Sequence, residues 1–325
     1  MRTRDACCTY IVMIDRSTAQ MDELREFSTY LSSMTVSGCE TIVIDSSSPE
    51  VFDENGRVLR WVAKHISPRP RFRTLAGALD PIRAALDVAS CEKVILAGAE
   101  VRYSATGLQA LCAALEMHEV VEPQDYLDPL PWWGGIEAGR MLVHRGIVAY
   151  PDHGSTFGFR RSAIRGLRTL DACADTGDDY VRRLSSQGAE VHSAADLFVR
   201  RYPPRFAEWL KQRPRQADDD FAMPVKTAFF FALIPMALLL TLFGGLRLAE
   251  GYAGAVAFAS LTLALRGRIG ATNFFPLRIC LFAPLWVLER SVSVYWALLR
   301  NMRGGEPVGP REPALDRSGE RAVNG

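Results

Sequence analysis

Net charge is nearly absent from this chain: 38 Lys and Arg against 37 Asp and Glu leave +1 over 325 residues. A protein that holds nucleic acid by bulk electrostatics needs a basic face, so no nucleic-acid partner is expected. Paired cysteines are also lacking. Cys7, Cys8, Cys39, Cys91, Cys112, Cys173 and Cys280 are odd in number and scattered, with no Cys-x-x-Cys. That usage suits a reducing compartment better than a disulfide framework or a zinc site. No Gly-x-Gly-x-x-Gly or Gly-x-x-x-x-Gly-Lys follows a strand-like run, which leaves a dinucleotide fold and a P-loop unsupported. Without a Gly-x-Ser-x-Gly elbow, a hydrolase triad has no support either. The opening MRTRDACCTYIVMIDR has too short an apolar run before Asp15 for a signal peptide, so the globular part is expected in the cytosol.

The missing net charge hides an uneven distribution. Residues 1–225 hold 58 of the 75 charged side chains, and 227–299 hold seven. Thr227–Leu246 carries no charge for twenty residues, which at 1.5 Å per residue crosses a hydrocarbon layer of roughly 30 Å. Gly251–Leu265 is uncharged for fifteen and follows after a short link bearing Arg247 and Glu250, so a helical hairpin is expected. Lys226 precedes the first span and Arg266 and Arg268 follow the second, which places residues 1–225 on the cytoplasmic side of a cell (plasma or inner) membrane. Residues 274–300 are interrupted by Arg278, Glu289, Arg290, Pro276 and Pro284, and read as an interfacial amphipathic helix or as a third span. Residues 301–325 are rich in Gly, Pro and charge and read as a disordered tail. The expected domains are therefore 1–222, globular, and 223–300, membrane.

Within the globular part, apolar β-branched runs alternate with helical stretches. Thr9–Ile14, Glu40–Asp45 and Lys93–Ala97 read as buried strands; Gln20–Ser33, the later part of Arg71–Ala89, and Ala105–Leu115 read as helices. Continuous apolar strands between helices imply an α/β fold with a mostly parallel sheet covered on both faces. Such sheets bind ligands beyond the carboxyl ends of their strands. Asp15, Asp45 and Glu100 all stand at such ends. Each also has a plain role as a turn or helix-capping acid.

The second half of the globular part contains, in order, DPLPWWGGIEAGRMLVHRGI, DHGSTFGFRRSAI, TGDDYVRRLSSQGAEV and RYPPRFAEWLKQRPRQ, then the apolar segments. Over about residues 7–250 this order resembles membrane-bound family-2 glycosyltransferases with a GT-A (Rossmann-like) domain of the nucleotide-diphospho-sugar type. The resemblance implies a membrane-anchored transferase that moves a sugar from a nucleotide-sugar donor to a lipid-linked or membrane-proximal glycan acceptor. It implies that the first two strands, with Asp15 and Asp45, hold the nucleoside. The family's acidic pair matches Asp178-Asp179, with Asp179 as the base of an inverting transfer, which needs a carboxylate to take the acceptor hydroxyl's proton. The same pair makes a respectable helix N-terminus. The Gln-x-x-Arg-Trp motif is matched by Gln212 and Arg215, with Gln216 in place of Trp; Arg213 and Arg215 would neutralise a leaving diphosphate or draw the stretch to anionic lipid.

The largest departure lies at the metal motif. Where the family carries an Asp-x-Asp type sequence, this chain reads Ala97-Gly98-Ala99-Glu100-Val101. A divalent cation (Mg²⁺ or Mn²⁺) would rest on Glu100 alone, or arginines would replace it, or transfer activity has been lost. Asp125 and Asp128 flank a turn and either face acceptor or metal, or only shape the turn. Trp132 and Trp133 are candidates to stack on a sugar, to pack under the loop or to anchor at a membrane interface. Gly154, Arg160 and Arg161 belong to the stretch that the resemblance puts under donor sugar and acceptor. Two function classes stay open: a working glycosyltransferase, and a degenerate GT-A-like scaffold or regulator of a glycan-assembly complex.

Overall fold

The computed structural model describes residues 8–15, 21–68, 81–147, 155–164, 177–211, 213 and 224–302. Of the expected tail, residues 301–325, the first two close the last helix, Ala283–Met302, and 303–325 lie outside the described residues. Contacts divide the chain into two compact units, 1–204 with 253–286, and 205–252 with 287–325.

The first unit is built on one eight-stranded sheet. Its strands are β1 (Cys8–Ile14), β2 (Cys39–Asp45), β3 (Lys64–Ile66), β4 (Lys93–Gly98), β5 (Val101–Arg102), β6 (Val120–Leu127), β7 (Thr156–Arg160) and β8 (Val191–Arg201), in the order β3-β2-β1-β4-β7-β6-β8-β5. β1 pairs in parallel with β2 and β4, β2 with β3 and β6 with β8, while β7 runs antiparallel between β4 and β6. This is the mostly parallel α/β sheet that the apolar runs predict. The connections reverse direction at β1, so the switch point lies between the carboxyl ends of β1 and β4.

Both faces of the sheet are covered. On one, Tyr10, Val12, Val43, Ile95 and Ala97 pack with α1 (Met21–Val36), α2 (Pro49–Leu59) and α4 (Ala105–Met117). On the other, Ile11, Ile42, Ile44, Val94 and Leu96 pack with α3 (Pro81–Val88) and α7 (Gly177–Ser186). A strand with apolar side chains pointing both ways is stable only with cover on both sides, which is why these runs do not alternate. The remaining elements of this unit are α5 (Gly134–Ile147), α6 (Arg161–Ile164) and a 3₁₀ helix, Leu277–Phe282.

Two elements escape a reading by hydrophobic pattern. α2 starts at Pro49 behind Ser48, whose hydroxyl accepts from the Val51 amide, a capping arrangement hidden in the loop-like SSSPE. β6, VVEPQDYL, carries Pro123 and three polar residues yet is almost wholly buried. Its pairing with β8 slips between Pro123 and Gln124, where an irregularity accommodates the proline.

The chain after residue 224 forms α8 (Pro224–Gly244), α9 (Leu246–Gly267) and α10 (Ala283–Met302). Val225–Gly244 and Leu246–Gly267 are both long and apolar enough to cross a membrane, and about a tenth of each apolar window is buried, unlike the core helix of a soluble domain. The link between them is shorter than the sequence suggests: Gly245 alone, at φ 76°, separates the helices, and Arg247 and Glu250 fall inside α9. Within the second unit, Phe230 and Leu233 of α8 are buried, and the Tyr295 hydroxyl of α10 donates to the Phe231 carbonyl.

The second half of α9 belongs to the first unit, where it lies against α5. A Cβ at Gly146 would strike the Leu263 carbonyl, and one at Gly267 would strike the Leu142 carbonyl. Because those obstacles are backbone, neither can swing away. Gly146→Ala and Gly267→Ala are expected to destabilise the protein by about 1–3 kcal/mol each. Gly251→Ala, whose Cβ meets nothing within 4 Å, is expected to be neutral or slightly stabilising. Thermal unfolding in detergent checks this; equal midpoints for all three variants would refute the contact.

Candidate functional site

β4 ends at the switch point and turns through Ala99 and Glu100 into β5. Ala97 pairs with Thr156 of β7, and the Gly98 amide donates to the Ser155 carbonyl at 3.0 Å. Across the turn, Val101 pairs with Arg201 of β8, and the Tyr202 amide donates to the Glu100 carbonyl at 2.9 Å. The Glu100 carboxylate folds back over Gly98: a Cβ there would lie 2.5–2.7 Å from its atoms. The missing side chain at 98 is therefore what leaves room for the one acid this turn retains. Asp15, exposed at the end of β1, stands at the same edge of the sheet.

Next to this turn lies a group of charges that sequence reasoning largely missed. Asp125 of β6 is buried and accepts from the Ser155 amide at 2.9 Å and the Ser155 hydroxyl at 2.8 Å. Arg201 bridges Asp125 at 3.4 Å and Glu137 of α5 at 3.7 Å, and Glu137 binds Arg140 at 2.6 Å. Beside them the buried Tyr103 hydroxyl meets Thr156 Oγ1 at 2.9 Å. Two acids and two arginines neutralise one another here, which keeps buried charge tolerable and locks β6, β8, α5 and the start of β7 together. The only available signal for Glu137 was its spacing from Arg140, three residues on along a helix. Nothing in the sequence joins Arg201 to either acid.

Asp45 does not offer a free carboxylate to a nucleoside. Its side chain has no exposed surface; Oδ1 accepts from the Ser47 amide at 3.0 Å, and Oδ2 from Asn55 Nδ2 and His65 Nε2, both at 2.9 Å. His65 in turn stacks on Phe52, with ring centroids 4.2 Å apart. The acid ties the end of β2 to α2 and β3, the structural role that a strand-end acid often has.

Of the other expected residues, the arginine pair stands apart from Glu100, while Asp128 and Trp133 attach to β8 and the residues after it, which pair with the Glu100 turn. Arg160 pairs with Lys93, the first residue of β4, and the Arg161 amide and guanidinium donate to Glu92 and Ala89. Since β7 runs antiparallel to β4, both arginines lie at the opposite end of the sheet, five residues or about 16 Å along the strand. Asp128 is exposed and paired with Arg200 at 3.0 Å. Trp132 is exposed, while Trp133 packs edge-on to it and its indole N–H donates to the Pro204 carbonyl. In the second unit Arg213 is buried, stacked 4.6 Å over Trp209 and 4.0 Å from Glu289, rather than open to a diphosphate. Gly154, Gln212 and Arg215 lie outside the described residues, as do the side chains of Asp178 and Asp179. The backbone of that pair forms the first turn of α7. α7 ends just before β8, which starts beside Val120 at the edge remote from Glu100. Ten helical residues rise about 15 Å, which brings the first turn of α7 back toward the edge where β4 ends.

Among the described residues, no three His, Cys, Asp or Glu side chains gather in a form that would hold a metal. Glu100 alone fits a cation whose remaining ligands are phosphate oxygens and water, and does not make an all-protein cage.

No family model matches the chain, and no curated protein does. Among solved structures it is similar to a mannosyltransferase from Pyrobaculum calidifontis in complex with GDP-Man and Mn²⁺, at 16% identity and TM-score 0.46 over 89% of this chain and 87% of that one. It is also similar to S. aureus TarS 1-349 in complex with UDP-GlcNAc, at 10% identity and TM-score 0.40 over 91% and 92%. A third is glucosyl-3-phosphoglycerate synthase from Mycobacterium tuberculosis in complex with phosphoglyceric acid, at 18% identity and TM-score 0.39 over 62% and 74%. At such scores none of them assigns this chain an activity, which has to be read from its own residues.

The Asp45 arrangement has a pH signature. Burial by itself would raise the carboxyl's pKa, but the hydrogen bonds from His65, Ser47 and Asn55 outweigh it and bring the value down to about 2. A depressed carboxyl stabilises the fold above its unfolded pKa of 3.8 and loses that contribution as pH falls toward 2. Asp45→Asn is expected to cost about 2 kcal/mol near neutrality, with the gap from wild type closing in acid. Denaturant unfolding across pH checks this; a gap that does not change with pH would refute it.

Proposed function

We propose that this protein is a membrane-anchored glycosyltransferase of the GT-A, family-2 kind, working on the cytoplasmic face of a cell membrane. The observation that carries the reading is Glu100 at the switch point; it is supported by the course of α7, which ends at the remote edge and so would start, with Asp178-Asp179, near the end of the sheet where Glu100 stands. The two apolar helices support anchoring, which would hold a catalytic unit where a lipid-linked acceptor lies.

In this reading Asp179 takes the proton from the acceptor hydroxyl as that oxygen attacks the anomeric carbon, and the nucleoside diphosphate departs from the opposite face, with inversion. Asp178 lies beside it in the first turn, where the helix dipole favours negative charge. Glu100 and Asp15 line the donor side of the edge, with Glu100 the carboxylate for any divalent cation the donor brings, which would offset charge on the diphosphate. The Asp125–Arg201–Glu137 group acts one layer further in, holding Ser155 and the β4–β5 turn rather than touching donor. Gln212 and Arg215 are the diphosphate contacts proposed from the juxtamembrane motif, and Trp132 the exposed ring for acceptor or interface. The alternative is a degenerate scaffold of a glycan-assembly complex, favoured by the loss of acids at Gly98 and Ala99.

A panel of UDP- and GDP-sugars, with and without Mn²⁺, separates the two by thermal shift and transfer assay. The expected result is stabilisation by one donor class, with turnover reduced at least a hundredfold in Asp179→Asn while the donor shift survives. Glu100→Gln is expected to remove the Mn²⁺-dependent part of the shift. Donor binding without turnover, indifferent to Asp179→Asn, would establish the scaffold; no donor binding at all would end both readings of the site.

A further inference from the structure

The glycine-rich helix α5 and the segment after α9 form a surface that the sugar-transfer reading does not use. In the first unit, Phe282 lies against α5 at Gly135 and Gly139, where a Cβ would sit 2.8–3.2 Å from it. The segment's inner face is well buried: Phe275, Ile279, Ala283 and Trp286. Its outer face carries Thr272, Asn273 and Arg278, but large apolar side chains stand among them. Leu277, Leu281 and Leu285, four residues apart, are 59%, 66% and 49% exposed, and Ile269 is 73% exposed. A segment at a water-facing surface normally carries polar side chains on its outer side; this one sets large apolar side chains there as well, and nothing within the described residues covers them.

Along the segment itself the charges have one sign, though exposed Asp196 of β8 acts on Arg145, which lies beside Gly270. From Gly251 to Leu288 the chain holds Arg266, Arg268 and Arg278 and no acid. Arg266 and Arg278 are exposed, while Arg268 is partly buried and donates to the Phe275 carbonyl. Exposed leucines interleaved with arginines, without acids, complement a bilayer surface that has anionic headgroups: side chains enter the acyl boundary while guanidinium groups meet phosphates. The patch is also continuous in sequence with α9, which has membrane-crossing length.

We propose that Ile269–Leu285 is a docking face of the catalytic unit for anionic lipid, separate from the apolar helices that anchor the chain. It rests on the reading of this protein as membrane-anchored. Because the same segment is seated on α5, and α5 carries Glu137 of the Arg201 group, docking steadies the framework behind the candidate site.

Hydrogen–deuterium exchange of the full chain in nanodiscs tests this, comparing phosphatidylcholine alone, phosphatidylcholine with phosphatidylglycerol, and detergent micelles. Peptides covering Ile269–Leu285 are expected to exchange about tenfold more slowly in the anionic discs. Each arginine near such a surface contributes about a fivefold preference, so Arg266→Gln with Arg278→Gln is expected to erase most of the difference. A separate variant, Leu277→Asp with Leu281→Asp, is expected to lose protection in every lipid while Phe229–Phe243 stays protected. Equal exchange in neutral and anionic discs would overturn the lipid assignment, as would concentration-dependent protection in detergent, which would mean a second copy covers the face. If Phe229–Phe243 itself exchanges freely in discs, anchoring has failed, a result distinct from failure of the docking face.

Discussion

The candidate site depends on the burial of β1 between two parallel neighbours. Tyr10, Ile11 and Val12 have no exposed surface, and their side chains feed the cores on both faces of the sheet in turn. Burying each large apolar side chain contributes about 1.5–3 kcal/mol. A strand so enclosed cannot shift register without moving every side chain into the wrong core. Its pairing with β4 therefore fixes where that strand ends, and with it where Gly98 and Glu100 stand. The switch point is a by-product of connections that leave β1 in opposite directions.

Much of that frame was legible because buried parallel strands write themselves as unbroken apolar runs. TYIVMI, ETIVID and KVILA could hardly be anything else, and the two apolar helices announced themselves by length. The interest of strand-end acids followed, while the switch point came only with the strand order. What stayed hidden were strands that break the pattern. β6 contains a proline and three polar residues, and is buried because its polar groups meet partners from far along the chain. Long-range pairing of that kind leaves no periodic trace. For the same reason Asp125 was legible only as an acid beside a turn, facing acceptor or metal or shaping the turn, and its partners Arg201 and Glu137 not at all.

Where the expected residues stand has physical causes too. The resemblance puts Gly154, Arg160 and Arg161 in one stretch under donor sugar and acceptor, but an extended strand carries its last residue the full height of the sheet from its first. Asp45 stands at the expected strand end and yet is consumed there, because the Ser47 amide, Asn55 and His65 all converge on it. Arg213 similarly meets Trp209 and Glu289 in the second unit. An ionisable side chain at a suggestive position is available to a ligand only if the protein has not already claimed it.

The glycines of α5 carry a consequence for how the molecule is assembled. Gly134, Gly135, Gly139 and Gly146 fall within fourteen residues, and each weakens a helix by about 1 kcal/mol relative to alanine. Such a helix has little reason to form by itself. The atoms that fill its furrow, Leu263 and Phe282, are synthesised long after it and lie within or beyond the second apolar helix. The first unit is therefore not complete when its last strand has been made. Its assembly ends with the apolar segments that follow, so the sheet and the helix after it are finished together.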